Sequence, residues 1–173
     1  MLIVSPGCCG RNTSVLSSMR AYQDRFYYLL MDETDIVTGR HLKKIPKAVA
    51  EICEGLKKKP SVVMICITCV DALLGTDMER VCHKAEEYAG VPVRPCYMYA
   101  LTREGRKPPM VHVRQSVYSL LEPKKKKGNV VNLLGYFSPL TDDCELYDLL
   151  HGAGVKTIHE ISRCKDYAQY QTM

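Results

Sequence analysis

Ser61-Val62-Val63-Met64-Ile65-Cys66-Ile67, followed by Thr68-Cys69 and then by Asp77 to Arg94, is the stretch that decides the fold. Its first seven residues form an almost unbroken apolar run of strand length, the pattern of a strand covered on both faces, as in a parallel sheet. From Asp77 to Ala89 the spacing turns helical through Met78, Val81, Ala85 and Tyr88, and Gly90 closes the helix. Val91-Pro92-Val93-Arg94, extended toward Tyr99, reads as a second strand. Strand, helix and strand joined by short loops make a βαβ unit.

The same alternation continues on both sides. Upstream lie a short strand over Leu2 to Val4, a helix over Ser14 to Ala21 and a strand over Phe26 to Met31. From His41 to Leu56 the apolar positions Leu42, Ile45, Val49, Ile52 and Leu56 step by three and four, opposite Lys43, Lys44, Lys47, Glu51 and Glu54. That is an amphipathic helix lying on a sheet, with Pro46 acceptable only in its first turns. Downstream, residues 101–109 read as a loop, 110–121 as a helix ended by Pro123, and Lys124 to Gly128 as a charged connector. Residues 129–134, 141–150 and 155–161 then give strand, helix and strand, with Gly152 and Gly154 at the helix exit. The predicted organisation is α/β: a cysteine-bearing domain over 1–122, a lysine-rich linker over 123–128, and over 129–173 the first βαβ unit of a second, similar domain.

Composition narrows the function classes. The chain has 173 residues, 46% hydrophobic and 25% charged, with no apolar run near the roughly 18 residues of a membrane span. Met1 to Gly7 carries four apolar residues without a preceding basic stretch, too short for a secretory signal. A cytoplasmic location is expected, and the nine cysteines then read as thiols in a reducing compartment. The net charge of +5 comes partly from Lys57-Lys58-Lys59 and Lys124 to Lys127, which lack interleaved aromatic residues to stack on bases. Neither nucleic acid nor membrane is expected as a partner. No phosphate-binding P-loop, dinucleotide fingerprint or nucleophile elbow is present, so the chain is not itself an ATPase.

Two cysteines sit where apolar runs give way to glycine-bearing loops: Cys9 in Ser5-Pro6-Gly7-Cys8-Cys9-Gly10, and Cys69 in Thr68-Cys69-Val70-Asp71-Ala72-Leu73-Leu74-Gly75-Thr76-Asp77. In open parallel sheets ligands collect outside the carboxyl ends of the strands, so these two thiolates are the candidate metal ligands. Cys8, adjacent to Cys9, is a further one. Cys66 and Cys69 have the spacing of a redox dithiol, but an odd offset of three on a strand sends them to opposite faces. Cys53 and Cys82 fall on apolar helix stripes and read as core. Cys144 and Cys164 have no partner pattern, and Cys96 is an outside candidate for a third ligand. The five histidines, His41, His83, His112, His151 and His159, show no zinc spacing and take surface or packing roles by default.

Four segments in register carry a resemblance to the nitrogenase component 1 family. Pro6, Cys9 and Gly10 coincide with its Gly-Pro-x-Gly-Cys-Gly segment, while Ser5 and Cys8 replace glycines. Asp35-Ile36-Val37-Thr38-Gly39 matches its Asp-Ile-Val-x-Gly segment. Thr68, Cys69, Gly75 and Asp77 match Thr-Cys-(x)4-Ile-Gly-Asp-Asp, with Leu74 and Thr76 as departures, and Asn132-Leu133-Leu134-Gly135-Tyr136 matches the start of the family's second domain. The resemblance implies a Rossmann-like fold and Cys9 and Cys69 as thiolate ligands of a [4Fe–4S] or larger iron–sulfur cluster. It implies that this cluster is shared with a homologous partner subunit and fed with electrons by an ATP-hydrolysing iron protein.

The family's further cluster cysteine lies upstream of the Cys9 segment and its third domain lies past the region matched here, so the chain is expected to be a fragment or truncated member. Electron transfer in a two-component reductase is the favoured reading. The alternatives are a non-catalytic scaffold for metal-cofactor assembly and a cluster-less α/β module. A fourth, the cysteine-rich domain of heterodisulfide reductases, fits poorly because its two cysteine segments lie too far apart here.

Overall fold

The computed structural model describes residues 2–5, 14, 15, 18, 19, 23–97, 109–125, 128–135 and 137–173. The chain forms two compact units, Met1–Val117 and Tyr118–Met173.

The first unit is built on four strands, β1 (Leu2–Ser5), β2 (Tyr27–Leu30), β3 (Val63–Ile67) and β4 (Val93–Tyr97). Their order is β2-β1-β3-β4 and every pairing is parallel. The helices are α1 (Glu33–Val37), α2 (Arg40–Gly55), α3 (Cys69–Leu73), α4 (Met78–Ala89) and α5 (Pro109–Tyr118). Period-2 alternation along β3 divides the layers. Val63, Ile65 and Ile67 join Leu2, Val4 and Val93 in a core shared with Ile45 and Val49 of α2 and Met78, Val81 and Ala85 of α4. Met64 and Cys66 point the other way, into a smaller cluster with Phe26, Cys96 and Val113 of α5. The apolar run of β3 is thus buried on both faces, as its composition requires.

Element ends follow their caps. Asp77 accepts from Arg80 N at 3.1 Å and opens α4, while Gly90, at φ 60°, closes it and donates to Glu86 O. The amphipathic helix over 41–56 runs from Arg40 to Gly55, and Pro46 falls in its second turn, where it has no N–H to donate to Leu42. Cys69, expected in a loop, is instead the first residue of α3. A helix of five residues is too short to show a period, and apolar Leu73 and Leu74 at its end stay exposed.

The second unit holds β5 (Val130–Leu133), α6 (Glu145–Gly152), β6 (Thr157–Glu160) and α7 (Tyr167–Tyr170), with β5 and β6 parallel. Its helix starts at Glu145, four residues later than the sequence suggests, because Glu160 at the end of β6 claims the chain before it. The buried Glu160 carboxylate accepts from Leu140 N at 2.8 Å, Tyr147 Oη at 2.6 Å, Arg163 Nε at 2.9 Å and Ser162 Oγ. Arg163 in turn donates to Leu140 O and Asp142 Oδ1, each at 2.6 Å.

Candidate functional site

The chain leaves β1 toward β2 on one side and returns to place β3 on the other, so the sheet order reverses between β1 and β3. Such a switch point opens a crevice at the carboxyl ends of the two strands, because the loops that follow them diverge. Val4 pairs with Ile67, and the next residues along the two strands, Ser5 and Thr68, therefore enter their loops side by side. Thr68 and Cys69 border this crevice directly.

Thr68 is extended, with φ −101° and ψ 178°, and caps α3; its Oγ1 is buried without a hydrogen-bond partner among the described residues. Cys69 is part-buried. Beyond it α3 ends at Leu73, Gly75 reverses the chain at φ 63°, and Thr76 N donates back to Asp71 O at 3.0 Å. The Gly75 position shared with the family segment is thus a left-handed turn that a side chain would strain.

Behind α3 lies a buried polar chain the sequence did not announce. His41, in the first turn of α2, and Asp71, two residues past Cys69, are each 1% exposed. His41 Nδ1 is 3.0 Å from Asp35 O, and since a carbonyl only accepts, Nδ1 carries the proton. Nε2 is 3.3 Å from Asp71 Oδ1, so one further proton lies between imidazole and carboxyl. Burial raises the Asp71 pKa, and the His41 imidazole and then the Thr76 side chain oppose it. Asp71 Oδ2 has no hydrogen bond of ordinary geometry. Asp35 is anchored in its turn: the Lys44 ammonium at 2.6 Å lowers its pKa against the cost of burial, with Arg40 Nε 3.6 Å away. One imidazole therefore ties α1 to the helix that begins with Cys69. The packing role that sequence reasoning gave His41 is, in the structure, a two-sided polar clamp. Its signal is spread over Asp35, His41 and Asp71, positions that only the topology brings together.

The other cysteines are differently placed. Cys53 and Cys82 lie in the main core; burial pushes the Cys53 thiol up and the Cys82 thiol up to about 12. Cys96 is buried on β4 against Cys66, away from the crevice. Cys164, in the second unit, has its sulfur 3.6 Å from Glu160 O and is also pushed up by burial. Cys144 caps α6. Cys8 and Cys9, with Pro6 and Gly10, lie outside the described residues. Among the described residues no three His, Cys, Asp or Glu side chains converge as a metal site. A part-exposed thiol at the switch point, beside the root of the Cys8-Cys9 segment, is the donor chemistry an iron–sulfur cluster takes.

The second unit has a 520 Å³ open cleft lined by Asp142, Tyr147, His151, His159, Glu160 and Arg163, among others. Tyr147, Glu160 and Arg163 are bonded to one another, and His151 Nδ1 is bonded to Val155 O at 3.0 Å. Asp142, Tyr147, Glu160 and Arg163 are thereby tied to one another within the unit.

An all-parallel sheet with helices on both faces and a thiol at its switch point defines a Rossmann-like α/β protein. The family model for nitrogenase component 1 type oxidoreductases matches residues 1–173. The chain belongs to that family. It is similar to the nitrogenase iron-molybdenum cofactor biosynthesis protein NifE of Rhizobium meliloti (strain 1021), 32% identical over 127 residues, 72% of this chain and 26% of that protein. The same-named protein of Rhodobacter capsulatus is 28% identical over 176 residues, 97% of this chain and 36% of the relative. The nitrogenase molybdenum-iron protein alpha chain of Methanosarcina barkeri is 42% identical over 65 residues, 38% of this chain and 12% of that one. The chain thus spans about a quarter to a third of the cofactor-biosynthesis relatives it matches. Among the described residues no helix is long and apolar enough to cross a membrane.

Proposed function

We propose that the first unit supplies thiolate ligands to an iron–sulfur cluster, [4Fe–4S] or larger, at the crevice between β1 and β3. Cys69 is one ligand, Cys9 the second, and Cys8 an adjacent candidate. The observation that carries this is the pairing of Val4 with Ile67, which starts both cysteine segments from adjacent strand ends. Strands lie about 4.8 Å apart. Four residues of chain, the separation of Cys9 from Ser5, reach at most about 14 Å, so Cys9 is within reach of Cys69. When bound, the cluster supplies one-electron chemistry, and the chain's own residues do the rest. Cys69 donates sulfur, the His41–Asp71 clamp fixes α3, and Thr68 Oγ1 and Asp71 Oδ2 are polar atoms close to the ligand in sequence with bonding capacity unused.

The remaining ligands come from a homologous subunit docked over the crevice. Leu30, Val37, Leu73 and Leu74, all in or beside the loops after β2 and β3, are exposed apolar residues suited to such a contact. The use of the cluster best supported by the relatives' printed names is cofactor assembly, with this chain as part of a scaffold that holds a metal cofactor and passes it on. Electron transfer from an ATP-hydrolysing iron protein is the second reading, favoured by the 65-residue likeness to a molybdenum-iron protein alpha chain.

Anaerobic reconstitution with iron and sulfide, in the presence of the homologous subunit, tests the site. Bound iron and sulfide with charge-transfer absorbance are expected, lost in Cys69→Ala and in Cys9→Ala; a chain that takes up neither overturns the proposal. An assay with the iron protein then separates the uses: transfer of the cofactor without turnover supports the scaffold, and substrate reduction supports the electron carrier.

A further inference from the structure

On the sheet face away from α2 and α4, Cys66 and Cys96 are register partners across the parallel β3–β4 pair. They are 5% and 2% exposed and share an apolar nest with Phe26, Met64 and Val113. Neighbouring parallel strands stand about 4.8 Å apart, inside the roughly 4.4–6.8 Å between α-carbons that a disulfide spans. Register pairing also sends both side chains to one face of the sheet, one strand spacing apart. The neighbouring Cys96 sulfur and then burial raise the Cys66 pKa, and the Cys66 thiol lowers that of Cys96 against the effect of burial. Cys53 and Cys82 lie in the core on the opposite face and are separated from the pair by the sheet itself.

We propose that Cys66 and Cys96 form a cross-strand dithiol that hydrogen peroxide converts to a disulfide. The Cys96 sulfur, as thiolate, attacks one peroxide oxygen; the O–O bond breaks, and the leaving hydroxide takes up the proton Cys96 gave up and departs as water. Cys96 is then a sulfenic acid. The Cys66 sulfur attacks the Cys96 sulfur, the S–O bond breaks, a second water leaves with the Cys66 proton, and the S–S bond forms. Two thiols lose two electrons and one peroxide gains them. Peroxide suits the site because it is small and uncharged, whereas a bulky disulfide such as that of glutathione cannot enter a nest this closed. The bond ties β4 to β3 three residues before Cys69, and it requires no bound cluster.

The test uses the full chain, purified anaerobically in the reduced state, given a few-fold excess of hydrogen peroxide, quenched, blocked at its remaining thiols and digested without reductant. The expected result is a Cys66–Cys96 linked peptide pair, lighter than the two thiols by two hydrogens and restored by dithiothreitol, while Cys53 and Cys82 remain thiols. In Cys66→Ser the reaction stops at the sulfenic acid, and dimedone added together with denaturant labels Cys96. The proposal is overturned if both thiols survive a dose that oxidises part-exposed Cys69, if either is joined to another cysteine, if they over-oxidise without linking, or if Cys96 takes no dimedone in the serine variant.

Discussion

Replacing His41 with leucine removes the one group that bonds both Asp35 O, at 3.0 Å, and Asp71 Oδ1, at 3.3 Å. Leucine fills much of the space, so the cost comes from what is left behind. The Asp71 side chain, 0% exposed, loses its imidazole partner and becomes a buried carboxyl left with only the weak contact of the Thr76 side chain. Breaking a buried pair from one side typically costs about 3–5 kcal/mol, and the orphaned Asp35 carbonyl adds to this by up to about 1–3 kcal/mol. Since small domains hold only about 5–15 kcal/mol in total, His41→Leu is expected to open the first unit measurably. Adding Asp71→Leu removes the stranded carboxyl, and the double variant should recover at least about 2 kcal/mol relative to the sum of the singles. Amide exchange at Val63–Ile67 reads the local stability of β3 without assuming that the two units unfold together. A loss under about 1 kcal/mol for His41→Leu, or strict additivity in the double variant, refutes the clamp.

Lowering the pH toward 2 should loosen the second unit. Burial pushes the Glu160 pKa up, but Ser162, Tyr147, Leu140 N and Arg163 pull it from 4.5 down to about 2, so its contribution is complete above 4.5 and is lost as pH falls toward 2. Glu160→Gln should flatten that dependence in a pH series of thermal melts. Gly75→Ala places a side chain at φ 63° and should cost about 1–2 kcal/mol in urea titrations, whereas Gly55→Ala, in helical backbone with open space at its Cβ, should stabilise by about 0.4–1 kcal/mol. Alkylation of the folded chain at pH 8, timed by mass spectrometry, should modify part-exposed Cys69 well before Cys82, whose buried thiol is pushed up to about 12.

The parts of the fold legible in the sequence are those set by local pattern. The apolar run of β3 required cover on both faces, the three-and-four stepping of α2 announced its core stripe, and Asp77 and Gly90 bracketed α4 as cap and left-handed exit. Gly75 was legible as a turn because few other residues accept its φ. What stayed hidden depends on which segments become neighbours. The register of Cys66 with Cys96 exists only once β3 and β4 pair, and the odd offset within Cys66-x-x-Cys69 said nothing about a partner on another strand; with Cys69 on α3, strand alternation does not relate the two. His41 and Asp71 are 30 residues apart and meet because the loops after β2 and β3 share one sheet edge. Glu160 looked like the end of a strand, yet its buried carboxylate gathers Leu140 N, Tyr147, Ser162 and Arg163.

The central claim is that Cys69 and Cys9 bind one cluster at the crevice between β1 and β3. Iron-edge anomalous scattering from crystals of the anaerobically reconstituted complex tests it most directly. The account expects a compact group of iron sites at the carboxyl ends of β1 and β3, bonded to the sulfurs of both Cys69 and Cys9. Iron held elsewhere in the chain, or a crevice cluster with neither sulfur as ligand, contradicts it.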